Sequence, residues 1–349
     1  MARGLGALER VDTAIVAENL GKTYTRRKRA DGFWAGLRAY FSFESETVAA
    51  VTDLSFRIER GESVGLIGEN GAGKSTTVKM LTGILVPTHG RVETLGVVPS
   101  KERRKLAQSM GVVFGQKPQI LWDIPARDSF RLLKVMYAVP DDVFRFTYHE
   151  AVERLELGDF LDTPVRLLSL GQRMRCDLAA SLLHAPAVAF LDEPTIGLDV
   201  LVKERVREHL IEMRRRFGTT IVLTTHDLKD ITATCERLLV LDRGRLLYDG
   251  SREGFEQRFA GGRTLVVALE QEADETTRRT LEAEAAGEEV TFVWDTPHRL
   301  RVECARSASA PKVTASVLEH LRVADLSVQG AELDAIVTRL YRSGKVTAA

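Results

Sequence analysis

The run Gly68-Glu69-Asn70-Gly71-Ala72-Gly73-Lys74-Ser75-Thr76 carries the strongest chemical signal in the chain. Its glycines let the backbone curl so that successive N–H groups face inward toward phosphate oxygens, and a following helix N-terminus adds its dipole. In such a loop Gly68, Asn70, Gly71, Gly73, Lys74, Ser75 and Thr76 surround the phosphates. Lys74 reaches the β- and γ-phosphates, and the Ser75 hydroxyl ligates Mg²⁺. Far downstream the apolar run Val188-Ala189-Phe190-Leu191 ends in Asp192 and Glu193. Asp192 is suited to hold Mg²⁺ directly or through water, and Glu193 to orient and polarise an attacking water. Alone, an apolar strand ending in two acids is commonplace. Behind a phosphate loop it is the expected metal and water partner.

These residues need a scaffold that delivers them to one edge. Ser63 to Ile67 reads as a buried strand running into the glycine turn, followed by a helix from Lys74 to about Leu81. Further apolar strands are expected at Gly111–Phe114, Ala187–Leu191, Thr220–Thr224 and Leu238–Leu241, while about 124–184 reads mainly as helices. Alternating strand and helix predicts an α/β core with a mostly parallel sheet and an inserted helical subdomain. Ala14–Leu20 and Leu54–Ile58 add two short strands with an insert, 25–47, between them. The insert opens on Arg26-Arg27-Lys28-Arg29 and then places Phe33, Trp34, Leu37, Tyr40 and Phe41 at helical spacing. The favoured reading is that these aromatics cover the sheet with the basic residues solvated; the other is contact with lipid headgroups or a membrane partner.

Near Gly261-Gly262 a second domain is expected, giving domains 1–261 and 262–349. Its order of β-α-β-β-α-β suggests a small α+β, ferredoxin-like sandwich. A last helix carries Leu333, Ile336, Val337, Leu340 and Tyr341 on one face. His298 and His320 are isolated and expected on the surface, and this domain shows no glycine-rich loop or metal-spaced cluster.

Composition narrows the classes. Acidic and basic residues balance at 49 each, which argues against a nucleic-acid binder or a polybasic membrane anchor. No apolar run approaches the ~18–20 residues of a membrane helix, so any pore is expected from another chain. Charges at Arg3, Glu9, Arg10 and Asp12 interrupt the N-terminal stretch, which lacks a signal-peptide apolar region. Cys176, Cys235 and Cys304 are scattered and read as reduced cytosolic thiols rather than a disulfide frame or zinc site.

Four further motifs follow in order: Gln116, Leu168-Ser169-Leu170-Gly171-Gln172, Gly197-Leu198-Asp199 and His226. With them the chain resembles the nucleotide-binding subunits of ABC transporters over roughly Ile15 to Gly250. The resemblance implies a P-loop NTPase of ABC type with an antiparallel β subdomain, binding ATP and Mg²⁺. Lys74, Glu193 and His226 would be catalytic, His226 as the switch histidine. Ser75, Gln116 and Asp192 would serve the metal, with Gln116 also touching the permease. Ser169, Gly171 and Gln172 would complete the ATP site of a second subunit, which Asp199 also meets. Tyr24 stands where the family carries the aromatic that stacks on adenine. Leu170 replaces the more usual glycine, and Leu-Ser-Leu-Gly-Gln also occurs in the branch serving type-2 exporters. The implied assembly is a homodimer on the inner, cytoplasmic face of a membrane, bound to an integral-membrane permease. The alternatives are a non-transport ABC ATPase acting on nucleic acid or ribosomes, and a module that holds ATP without hydrolysing it. No coiled-coil insertion or tandem second ATPase supports the first, and the presence of Glu193 and His226 argues against the second.

Overall fold

A computed structural model of the chain describes residues 12–27, 45–115, 118–259, 262–285, 289–305 and 309–330, with Leu333, Ile336, Val337 and Leu340 beyond them. The first strands are β1 (Thr13–Arg27) and β2 (Ser45–Glu59), each of 15 residues and paired antiparallel. Leu54, Phe56 and Ile58 of β2 turn inward while Ser55 and Arg57 face out, as a sheet with one buried face requires. The ladder continues through Tyr24↔Val48, Thr25↔Thr47, Arg26↔Glu46 and Arg27↔Ser45. Both flanks of the expected 25–47 insert are therefore strand, and the ribbon runs past the short strands read from the apolar pattern. Lys28, Arg29 and the aromatics from Phe33 to Phe41 lie outside the described residues.

β3 (Ser63–Gly68) enters the glycine loop, α1 (Lys74–Leu81) leaves it, and β4 (His89–Thr94) returns to pair with β1. After α2 (Arg103–Ala107) and β5 (Met110–Phe114), the chain forms the expected helical block: α3 (Ala126–Met136), α4 (Asp141–Arg154) and α5 (Leu170–Leu182). It then alternates through β6 (Val188–Asp192), α6 (Val200–Phe217), β7 (Thr220–Thr224), α7 (Leu228–Thr234), β8 (Arg237–Asp242) and β9 (Arg245–Ser251). The main sheet has the order β5-β6-β7-β3-β8-β9, parallel except for the β8–β9 hairpin. Val64, Leu66, Val188, Phe190 and Val222 of its central strands share one apolar core with Ile15, Leu20, Leu54 and Ile58 of the smaller sheet. Because the strands are parallel, the carboxyl ends of β3, β5, β6 and β7 open on one edge, where α/β sheets bind ligands.

The chain divides into two compact units, Met1–Ser251 and Arg252–Ala349. The division falls ahead of the Gly261-Gly262 boundary expected from sequence, because the first unit ends with its last sheet strand and α8 (Arg252–Phe259) counts with the second. There β10 (Gly262–Leu269), α9 (Glu275–Glu284), β11 (Val290–Thr296), β12 (Arg299–Ala305), α10 (Ala310–His320) and β13 (Val323–Gly330) build an antiparallel sheet in the order β11-β12-β10-β13. This is the strand order of a split βαβ sandwich. Leu265, Val267, Leu300 and Val302 form its core with Val313, Val317 and Leu281 from the helices. His320 is not the free surface residue its sequence context suggested: it pairs with Glu284 at 3.3 Å and so ties α10 to α9. Leu333, Ile336, Val337 and Leu340 are helical and buried.

Two histidines of the first unit, the partly buried His184 and the buried His209, form no salt bridge among the described residues. His184 stacks on Tyr137 and meets the Met110 carbonyl; burial pushes it down to about 4, against the opposing pull of that hydrogen bond. Burial, with help from Arg154, pushes His209 of α6 down to about 4. Among the described residues neither ring nitrogen of His209 has a hydrogen-bond partner. A histidine whose folded pKa is depressed stabilises the fold above its unfolded value of 6.5, and that contribution is lost as pH falls to about 4. Burial raises Asp177 from 3.8 to about 6, which acts the other way: its contribution is lost as pH rises across that window. His209→Leu removes two orphaned buried nitrogens, so the variant should be at least as stable as wild type at pH 7. It should also lose less stability between pH 7 and pH 5. Urea melts at the two pH values check both, and an equal or steeper acid loss in the variant contradicts this reading of His209.

Candidate nucleotide site

The glycine loop is shaped by close approach. Gly73 caps α1 with φ +101°, and a Cβ there would lie 2.6 Å from the Ala50 carbonyl oxygen. Gly71 also has positive φ, +88°, but open space around it. Lys74 folds back so that Nζ donates to the Gly68 carbonyl at 2.5 Å and the Glu69 carbonyl at 3.0 Å, bracing the loop. Burial lowers the Lys74 pKa, and the negative charges of Glu193, Asp192 and Glu69 oppose that shift. Asn70 is exposed at the loop tip, and Thr76 is half-buried in the first turn of α1.

Asp192, at the end of β6, joins the loop to the sheet. One carboxylate oxygen accepts from the Ser75 hydroxyl at 3.2 Å, and the other from the Thr224 hydroxyl at the end of β7. Glu193 follows in a left-handed conformation, φ +55°, which side-chain-bearing residues rarely adopt. Its N–H donates to the Thr224 carbonyl at 2.8 Å, and its Oε2 meets His226 Nδ1 at 2.7 Å. Glu193 is largely covered, whereas His226 is open to solvent. Among the described residues no group of three or more His, Cys, Asp or Glu gathers as a metal cage. A hydroxyl and one carboxylate within 3.2 Å nevertheless suit Mg²⁺, which takes few protein oxygens and completes its shell with water and phosphate.

A family profile described as ABC transporter matches residues 51–196. The daunorubicin resistance ATP-binding protein DrrA3 of Streptomyces coeruleorubidus is 32% identical over 259 residues, covering 74% of this chain and 75% of that one. The chain belongs to the ABC transporter ATP-binding proteins. The linearmycin resistance ATP-binding protein LnrL of Bacillus subtilis is 27% identical over 299 residues, covering 83% of this chain and 93% of that one. A solved dimeric ATP-binding cassette, in a post-hydrolysis state bound to ADP and Pi, superposes with a TM-score of 0.57 at 24% identity. It covers 68% of this chain and 98% of that one, and shows the shared fold.

The remaining motifs of an ABC ATPase are held in ways the sequence reading did not include. Ser169 caps α5 in a reciprocal box: its Oγ accepts from the Gln172 N–H at 3.2 Å, and the Gln172 side chain accepts from the Ser169 N–H at 2.9 Å. Asp199 likewise caps α6, accepting from the Val202 N–H at 3.0 Å. Leu170 lies over Gly197, where an added Cβ would come within 3.2 Å of its side chain, so the signature turn and the Gly197-Leu198-Asp199 loop lean on each other. Among the described residues no hydrogen bond joins Ser169, Gly171, Gln172 or Asp199 to Lys74, Ser75, Asp192, Glu193 or His226. Tyr24 sits on β1, 40% exposed, with Lys22 Nζ 5.6 Å from its ring centre. Gln116 lies outside the described residues.

Sequence reasoning passed over Thr224, the third member of the Asp192 cluster, although the Thr-Thr-His run beside the histidine marks a polar strand end. Gly73→Ala should weaken binding of a fluorescent ATP analogue and destabilise the fold by about 1–3 kcal/mol, the usual range for forced backbone strain. Gly71→Ala should be milder, since only its dihedral is unfavourable. Nucleotide titration and denaturant melts read both, and equal behaviour of the two variants contradicts the packing at Gly73.

Proposed function

We propose that the chain is the ATP-hydrolysing subunit of an exporter, driving a separate membrane permease by ATP-dependent closure of a homodimer. The observation that carries the reading is the Ser75–Asp192–Thr224 cluster beside the Glu193–His226 pair. Phosphoryl transfer to water asks the protein for positioning and charge stabilisation. Lys74 and the loop N–H groups hold the phosphates. Glu193 orients and polarises the water, and His226, hydrogen-bonded to it, fixes the carboxylate and faces the γ-phosphate. Mg²⁺ would be held through Ser75 and Asp192, with Gln116 expected as a further oxygen donor, and would neutralise phosphate charge. Tyr24 offers an exposed ring for the adenine.

Among the described residues Ser169 and Gly171 make no hydrogen bond to the phosphate loop or to Asp192, Glu193 and His226, which supports a dimer in which each signature turn covers the partner's ATP. Exposed apolar side chains of the helical block suit the permease. Leu121, Trp122, Leu132, Val135, Met136 and Leu167 of the helical block are exposed large apolar residues, and none of the described helices is long and apolar enough to cross a membrane. The protein would then sit at the inner face of the membrane through its permease. Export is favoured by Leu170 and by the drug-resistance names of DrrA3 and LnrL.

Glu193→Gln should bind ATP with wild-type affinity while phosphate release falls by about 10²–10⁴-fold. Lys74→Ala should instead lose affinity. A Glu193→Gln variant that hydrolyses at the wild-type rate contradicts its assignment as the catalytic carboxylate. A polytopic membrane protein should co-purify with the wild-type chain and be lost when Trp122 and Leu167 are replaced by aspartate; undiminished co-purification contradicts that docking face.

A further inference from the structure

Asp230, on α7, is 1% exposed, and among the described residues it makes no hydrogen bond to the phosphate loop. Its carboxylate is nonetheless the meeting point of three elements. Arg207 of α6 donates from Nε at 2.7 Å and approaches with Nη2 at 2.6 Å, both on the same carboxylate oxygen. The other oxygen accepts from the Thr195 hydroxyl at 2.5 Å and lies 3.4 Å from the Thr225 hydroxyl. Thr195 stands two residues after Glu193, and Thr225 immediately precedes His226. One buried carboxylate thus grips the exit loops of both β6 and β7. A second pair runs parallel to it: Lys203 of α6 binds Asp227 at 2.6 Å, and the Asp227 N–H donates to the Thr225 hydroxyl at 3.0 Å.

The arrangement matters because Glu193 and His226 lie on separate loops, joined by the Glu193 N–H to Thr224 carbonyl bond and by their own side-chain contact. Glu193 occupies a strained left-handed conformation, and such a residue persists only where its surroundings over-determine it. Burying a charge also costs stability unless it is paired and hydrogen-bonded. Here the pairing is supplied by Arg207, while the lone pairs left over hold the two threonines.

We propose that Asp230 is a positioning residue for hydrolysis, setting the Glu193–His226 geometry through Thr195 and Thr225. The inference rests on Glu193 and His226 being the catalytic pair. Removing only the carboxylate would strand the Arg207 charge and unfold the region for trivial reasons. The test therefore uses the full-length double variant Asp230→Leu/Arg207→Met, which replaces the pair with apolar side chains, a change that is often tolerated. It should melt close to wild type and bind ATP equally well, with kcat lower by roughly 10²-fold and KM unchanged, the scale of loss from ångström-level misplacement. A stable double variant with wild-type kcat overturns the proposal, because a merely structural pair would be replaced without loss of rate.

Should the double variant fail to fold, Thr195→Val leaves the Asp230–Arg207 pair intact and removes one tether. Its kcat should fall with KM unchanged, and an unaltered kcat overturns the proposal equally. Glu193→Gln measured alongside separates the two levels. Wild-type hydrolysis by Glu193→Gln removes the catalytic pair and this proposal with it. An inactive Glu193→Gln beside a fully active double variant removes only the role of Asp230.

Discussion

The carboxylate of Asp192 is the constraint on which the rest of the site depends. It accepts one hydroxyl from the glycine loop and one from the end of β7, so three parallel strands are registered at the edge where their loops emerge. The sheet order makes this possible. β3 and β6 both flank β7, and Asp192 stands directly across from Thr224 in the ladder. Sliding β6 by one residue would turn its side chains to the other face, carrying Asp192 away from Ser75 and placing Glu193 where it cannot meet His226. The apolar contacts of Phe190, Val188 and Val222 that fix the register therefore act directly on the chemistry.

Much of the site was legible because its residue types are constrained by what they bind. A loop that must present N–H groups to phosphate needs glycine, and a strand that must deliver a carboxylate to Mg²⁺ is apolar until its last residue. Those patterns survive in one dimension. What the sequence concealed were interactions set by pairing rather than periodicity. Arg26 and Glu46 continue the β1–β2 ladder past the point where the apolar alternation stops, because backbone hydrogen bonds extend a ribbon that no core requires. The box between Ser169 and Gln172 has a readable spacing, but the same two residues also fit the signature expected to face a partner's nucleotide. Asp230 resembles any acid in an early helical turn until Thr195, 35 residues earlier in the chain, is found against it.

The two halves of the chemistry are stabilised differently. The Lys74, Asp192 and Glu193 half is built from strand ends locked into a parallel sheet, and two charge pairs from α6, one on the buried Asp230 and one on the partly buried Asp227, brace its loops. The signature half is a helix cap on the helical block, where Leu170 lies close to Gly197 and Leu198 close to Gly171. The two halves lie on different parts of the first unit, as the proposed dimer requires if each is to meet its counterpart on a partner subunit.

The proposed sharing of each site between subunits is tested most directly by mixing two inactive chains. Lys74→Ala removes the phosphate-binding half and leaves the signature turn, while Ser169→Arg blocks the signature turn and leaves the phosphate-binding half. A mixed dimer holds one complete site, assembled from Lys74 of one chain and Ser169 of the other. Phosphate release from the mixture that neither variant shows alone is the expected result. A mixture as silent as its components, or full hydrolysis by Ser169→Arg alone, contradicts a site completed by the partner.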